Sequence, residues 1–120
     1  TLLGNMRDIY EKSEKAIYTP GAAFLNVMAP CPRGWRYPTE QIMDICKLAV
    51  ETCYWPLFEV IEGKWILSYS PKKKLPIEDF LRTQGRFKHL FKPENEHLLV
   101  QYQEEVDRRW EDLLFRCSKN

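Results

Sequence analysis

Cysteines at ligand spacing are missing from this chain. The 120 residues hold four, Cys31, Cys46, Cys53 and Cys117, and no pair has the C-x-x-C spacing of a zinc knuckle. That argues against a metal or cluster site complete within the chain. Four thiols beside an adequate apolar complement also do not make a secreted disulfide scaffold, so a reducing, cytoplasmic location fits better. An excess of one charge is missing too: 18 Lys and Arg against 17 Asp and Glu leave a net charge of +1. A protein that holds nucleic acid or a membrane surface electrostatically carries a larger imbalance. No apolar run approaches the roughly 20 residues of a membrane helix, and no signal peptide is visible. Nucleotide-binding glycine patterns, a Walker loop and a nucleophile elbow are all absent, as are repeats and low-complexity segments. The two histidines, His89 and His97, have no acid or thiol at ligand spacing and read as surface or packing residues. The length suits one small domain or a piece of a larger protein, and the opening at Thr1 rather than Met points to a start upstream.

The patterning that is present predicts an α/β segment. Asn5 is a candidate N-cap, with Asp8 three residues on, for a helix whose apolar stripe is Met6, Ile9, Tyr10, Ser13, Ala16 and Ile17. Thr19-Pro20-Gly21 stops it. The apolar run Ala22–Met28, broken only by Asn26, predicts a strand buried on both faces. Pro38-Thr39 opens a second helix with the stripe Ile42, Ile45, Cys46, Ala49, Val50 and Cys53, ended by Trp55-Pro56. Leu57–Val60 and Lys64–Tyr69 form a hairpin around Ile61-Glu62-Gly63. Pro76 starts a short helix that turns Ile77, Phe80 and Leu81 inward and closes at Gly85. Residues 85–90 are irregular. Pro93 opens a long terminal helix with Leu99, Tyr102, Val106, Trp110, Leu113 and Cys117 along one seam.

Among the polar and reactive residues, one is placed unlike the rest. Cys31 lies between Pro30 and Pro32 at the end of the expected strand. Proline fixes its own φ and forces the preceding residue to extended geometry, so the thiol sits on a stiff turn suited to ligation rather than to packing. Cys-Pro also closes the ferredoxin-type iron–sulfur run, but the other cysteines of such a run are not nearby. Cys46 and Cys53 share a helix face and Cys117 continues the terminal seam; all three read first as small apolar core residues. Lys72–Lys74 reads as a solvated loop. Glu104, Glu105 and Asp107, interleaved with Arg108 and Arg109, read as a charged outer face. Trp35 and Trp55, beside prolines, pack turns by default.

Six blocks carry a family resemblance. Ala29-Pro30-Cys31-Pro32-Arg33-Gly34-Trp35-Arg36, Lys47-Leu48-Ala49-Val50-Glu51-Thr52 and Trp55-Pro56-Leu57-Phe58-Glu59 come first. Glu78-Asp79-Phe80-Leu81, Gln84-Gly85-Arg86-Phe87-Lys88-His89-Leu90 and Val106-Asp107-Arg108-Arg109-Trp110 follow. In this order, from about Met6 to Trp110, they resemble the C-terminal part of the β-subunit of pyruvate:ferredoxin oxidoreductase and related 2-oxoacid:ferredoxin oxidoreductases. The resemblance implies an α/β fold, the C-terminal segment of a thiamine-diphosphate-binding fold: a buried strand with flanking helices, a β-hairpin and a long terminal helix. It makes residues 1–120 a single segment, with 1–70 completing the sheet and 71–120 a helical extension. It implies oxidative decarboxylation of a 2-oxoacid to acyl-CoA and CO₂, with electrons passing through 4Fe-4S clusters to ferredoxin. The "CPRGW" and "WPLFE" forms resemble the pyruvate or 2-oxoisovalerate branch.

The family's Gly-Asp-Gly…Asn motif, which holds Mg²⁺ and the diphosphate, and three of its cluster cysteines lie upstream and do not occur in these residues. The resemblance places the fourth cluster cysteine on Cys31 and no catalytic residue in the segment. Thiamine diphosphate, Mg²⁺ and the 4Fe-4S cluster therefore belong to the full-length enzyme, and the segment alone would be inactive. Expected partners are the other subunits, ferredoxin, coenzyme A and the 2-oxoacid, with no nucleic acid and no membrane. Two other readings stand beside this one: a non-catalytic subunit-interaction module of the same fold, and a thiol redox switch built on Cys46 and Cys53.

Overall fold

Good helix formers without an internal proline run from Met6 to Tyr18, and they form helix α1 in the computed structural model of the chain, which describes residues 1–119. Asn5 caps it as the sequence predicts, accepting the Asp8 amide at 3.2 Å. Thr19 ends it in extended geometry, and Gly21 takes a φ of 114°. The face that α1 buries is not the predicted one. Its buried residues are Asp8 and Lys12, an i,i+4 ion pair at 2.9 Å with both side chains at most 10% exposed. The apolar stripe turns outward, with Met6, Tyr10 and Ile17 each more than 60% exposed.

The expected buried strand Ala22–Met28 is also corrected. Residues 22–27 are exposed and form no strand, Phe24 reaching 89% exposure, and only Met28 is buried. A strand is buried on both faces only when neighbours flank it and helices cover it. Among the described residues the run has one short partner at its far end. Thr1 N donates to Asn26 O at 3.0 Å, Met28 N to Thr1 O at 3.0 Å and Leu3 N to Met28 O at 3.1 Å. This is a short parallel ladder around the Leu2–Met28 bridge. Helix α1 connects the two bridged segments, as the crossover that parallel pairing requires.

After the cysteine turn, which contains the one-turn helix α2 (Pro32–Trp35), a 3-10 turn at Thr39–Gln41 leads into α3 (Ile42–Glu51). Here the predicted stripe is borne out: Ile45, Cys46, Ala49 and Val50 are buried, and Cys53 lies just beyond. The helix stops before the expected Trp55-Pro56. Cys53 enters the left-handed region at φ 58°, and the Trp55 amide closes back on Ala49 O at 2.9 Å. The hairpin is β1 (Phe58–Ile61) and β2 (Lys64–Leu67), paired antiparallel with Ile61 opposite Lys64. Its two turn residues, Glu62 and Gly63, both have positive φ, 51° and 80°, as the tight I′ turn requires. Phe58 and Trp65 stack across it at 5.4 Å.

Helix α4 (Ile77–Arg82) buries Ile77, Phe80 and Leu81 as expected. The irregular stretch is a 3-10 run at Gly85–Phe91, followed by a 3-10 turn at Pro93–Asn95 and the long helix α5 (Glu96–Ser118). Along the α5 seam Val106 and Leu113 are buried, while Leu99, Tyr102, Trp110 and Cys117 are half-buried. Leu2, Ile45, Leu57, Phe80 and Val106 belong to one core, so segments on both sides of residue 70 share it. No helix among the described residues is long and apolar enough to cross a membrane.

Candidate functional site

The two prolines do to Cys31 what their chemistry dictates. Cys31 is extended, at φ −95° and ψ 110°, because Pro32 follows it, and Pro32 starts α2 at the position where a missing amide costs nothing. Cys31 is thereby the N-cap of α2. Its Sγ accepts the Gly34 amide at 3.3 Å, and its carbonyl accepts the Trp35 amide at 2.9 Å. The sulfur is thus aimed by a backbone donor while the residue stays exposed.

Both ends of this turn are pinned. On one side the buried Tyr37 hydroxyl donates to Pro30 O at 3.1 Å. Burial, followed by the neighbouring Cys46 and Cys31 thiols, raises the Tyr37 phenol above its usual range, so it remains a donor at neutral pH. On the other side Arg36 leaves α2 in the left-handed region, φ 60° and ψ 63°, and its carbonyl accepts the Gly85 amide at 2.9 Å. A Cβ on residue 85 would stand 2.8 Å from Arg36 Cβ and 3.0 Å from Arg36 O. Only glycine fits that approach.

The next residue completes the brace. The Arg86 guanidinium lies 3.9 Å over the Trp35 ring and 4.5 Å from that of Phe87. It is oriented by Gln84, whose Oε1 accepts Arg86 Nε at 2.8 Å and whose Nε2 donates to Phe80 O at 2.8 Å. Gln84 is only 1% exposed. One guanidinium nitrogen, Arg86 Nη2, is buried without a partner. Trp35 in turn meets Phe80 edge-on at 6.2 Å, and Tyr54 packs on the same ring at 4.6 Å. In the sequence, residues 29–36 and 84–90 stand as separate blocks, and 85–90 read as irregular chain. The structure makes them one unit.

The remaining candidates lie elsewhere and are accounted for. Cys46 and Cys53 are buried and free. Burial raises both thiols, that of Cys53 to about 11, which leaves little thiolate to form a switch at neutral pH. His89 and His97 are exposed, and no group of three or more His, Cys, Asp or Glu among the described residues could hold a metal. Lys74 leaves the solvated lysine loop to pair with Asp107. Glu105 pairs with Arg108 at 2.8 Å on the outer face of α5. Trp55 Nε1 donates to Thr1 O at 2.7 Å, a packing role.

A cleft of about 400 Å³ between α1 and the hairpin was not foreseen. The i,i+4 spacing of Asp8 and Lys12 was its one sequence signal. Its charges are paired internally, Arg7 with Glu11, Lys12 with Asp8 and Lys15 with Glu59, so it offers no unbalanced charge to a ligand.

The Cys31 turn presents one exposed sulfur, set by its flanking prolines and by the N–H···S bond from Gly34. A single thiol of this kind could form one corner of an iron–sulfur cluster only with ligands supplied from outside the described residues.

No family model matches the chain. It is 44% identical over 113 residues to the pyruvate synthase subunit PorB of Thermotoga maritima, a match covering 93% of this chain and 35% of that subunit. It is 46% identical over 103 residues to the ketoisovalerate oxidoreductase subunit VorB of Pyrococcus horikoshii, covering 84% of this chain and 33% of the relative. The PorB subunit of Methanosarcina barkeri is 43% identical over 91 residues. The chain spans about a third of the length of the curated relatives it matches.

Proposed function

We infer that this chain, which belongs to the family of pyruvate synthase PorB and ketoisovalerate oxidoreductase VorB subunits, contributes one ligand of an iron–sulfur cluster to a cytoplasmic 2-oxoacid:ferredoxin oxidoreductase. The enzyme acts on pyruvate or 2-oxoisovalerate, releases CO₂, transfers the acyl group to coenzyme A and reduces ferredoxin. The observation that carries this is the Cys31 geometry within a chain so similar to those subunits. The thiol is exposed, capped by the Gly34 amide at 3.3 Å and braced by Gly85 and Arg86.

A 4Fe-4S cluster, when bound, carries electrons one at a time toward ferredoxin. Everything else in the proposal concerns what this chain's residues do. Cys31 is a ligand, neither nucleophile nor base. Its prolines fix the sulfur in advance, so little conformational entropy is lost on ligation. The Gly34 amide stabilises negative charge on the sulfur. Tyr37, Gly85 and Arg86 hold the turn from behind. Thiamine diphosphate and Mg²⁺ would be held by sequence outside these residues, and so would the other cluster thiols; the segment alone would then be inactive. The other subunits of the enzyme are its assembly partners.

Replacing Cys31 by Ala in the complete enzyme tests the reading. The expected result is loss of the iron of one 4Fe-4S cluster per subunit, and of its electron paramagnetic resonance signal, with thiamine still bound. Full iron content and undiminished ferredoxin reduction in that variant would overturn it and favour the non-catalytic interaction module.

A further inference from the structure

The arginines of this chain divide by place. Arg7, Arg82, Arg108, Arg109 and Arg116 each pair with a carboxylate. Arg33, Arg36 and Arg86 have no carboxylate partner among the described residues, and all three belong to the Cys31 turn and its brace. Arg33 and Arg36 are exposed, and an unpaired arginine in water is ordinary. Arg86 is different.

Its Nε donates to Gln84 Oε1 at 2.8 Å, and its guanidinium lies against the Trp35 and Phe87 rings at 3.9 Å and 4.5 Å. Nη2 is buried with no acceptor. A guanidinium cannot shed its charge, and a buried donor left unpaired calls for a reason. The setting is poorly solvated. Burial, followed by the Tyr54 hydroxyl, pushes the Tyr102 phenol up to about 12 against the pull of Arg86 and Arg109. A fixed charge reaches further there than in water. The ring that Arg86 covers belongs to the last residue of α2, and the Trp35 amide donates to the Cys31 carbonyl at 2.9 Å. The cation is thus held in place behind the thiol, and no anion of this segment neutralises it.

We propose that Arg86 is a fixed counter-charge for the ligand site at Cys31, and that it raises the reduction potential of the iron–sulfur cluster that Cys31 ligates. This rests on the ligand reading of Cys31. Thiolate and sulfide ligands make such a cluster anionic, and reduction adds one electron without forming or breaking a bond. The electron comes from the decarboxylated 2-oxoacid in the proposed reaction and from dithionite in the test. A cation held beside the site favours the more negative state.

The test is a reductive titration of the complete enzyme followed by electron paramagnetic resonance, with iron content measured alongside. Arg86→Met keeps apolar contact with the two rings and removes the charge. At the potential where the unaltered cluster is half reduced, its reduced-to-oxidised ratio should fall about tenfold, a midpoint lower by about 59 mV for one electron. Arg86→Gln, which keeps a donor for Gln84 and removes the charge, should show the same fall and serves where Arg86→Met does not assemble. Arg86→Lys keeps the charge and should regain at least half of the shift. An unchanged midpoint at full iron content in the uncharged variants would overturn the proposal and leave the ligand reading standing. An equal shift in Arg86→Lys, or loss of iron from all three variants, would also overturn it, since either makes Arg86 a structural support only. Full iron in Cys31→Ala marks failure of the ligand reading instead, so the two failures are distinguishable.

Discussion

Gly85→Ala probes the joint between the cysteine turn and its brace. The added Cβ would stand 2.8 Å from Arg36 Cβ and 3.0 Å from Arg36 O. Neither contact involves the far end of a flexible side chain, so relief requires backbone movement. Arg36 has little room to give, since it is held in the left-handed region and its carbonyl accepts the Gly85 amide at 2.9 Å. Overpacking of this kind costs about 1–3 kcal/mol. With a urea dependence of about 2 kcal/mol per molar, a loss of 2 kcal/mol lowers the unfolding midpoint by about 1 M. Equilibrium urea unfolding followed by far-ultraviolet circular dichroism measures it. Arg36→Gly removes the shorter contact and suits the left-handed φ, while deleting an exposed side chain. The double variant should therefore recover about 1 kcal/mol relative to the sum of the single changes. A Gly85→Ala midpoint equal to that of the unaltered chain, or strict additivity in the pair, would refute the close approach as the reason for glycine.

Phe80→Ala should cost about 3–5 kcal/mol, as expected for a buried aromatic, because Phe80 is fully buried between Trp35 and Tyr54; urea unfolding reads it. Lys12→Met should destabilise by about 3–5 kcal/mol by leaving Asp8 charged and unpaired, whereas Asp8→Leu with Lys12→Met should lie close to the unaltered chain. Burial raises the Asp107 carboxyl, but hydrogen bonds from Lys74 and Gln103 outweigh it and hold the group below its usual value. Its contribution is therefore full above the ordinary carboxylate range and is lost as pH falls through the depressed value; acid titration of stability should be less steep in Lys74→Met. Iodoacetamide at neutral pH should label Cys31 and spare Cys46 and Cys53 in the cluster-free chain, and Cys53 should react only as pH approaches about 11.

What could be read from the sequence was local. Asn5 as a cap, the α3 stripe, the Glu62-Gly63 turn, the inward face of α4 and the long terminal helix each follow from capping, period or turn chemistry within a few residues. The two misreadings share one cause. In α1 and residues 22–27 the apolar pattern predicts burial, but pattern states a requirement for burial and not what meets it. Among the described residues the 22–28 run is bridged only at Leu2–Met28, and Met6, Tyr10, Ile17, Phe24, Leu25 and Val27 stay exposed. The buried side of α1 was illegible for the complementary reason: Asp8 and Lys12 look like solvent-facing charges until a neighbour encloses both.

The cysteine site shows why a motif can be conspicuous in sequence while its support is not. Cys31, Pro30 and Pro32 are contiguous, and their geometry follows from proline alone. The brace comes from residues some fifty positions later, through a glycine chosen for close approach and an arginine chosen for the Trp35 face. Neither has a periodic signature, and an isolated Gly-Arg pair predicts nothing by itself. The brace continues from Arg86 to Gln84, and from Gln84 to the Phe80 carbonyl in the buried helix α4. The orientation of the exposed thiol is therefore tied to the packing of the core. The proposed role as one corner of a shared cluster would require the sulfur to hold its place against thiols from elsewhere, and this one is held from the interior of the fold.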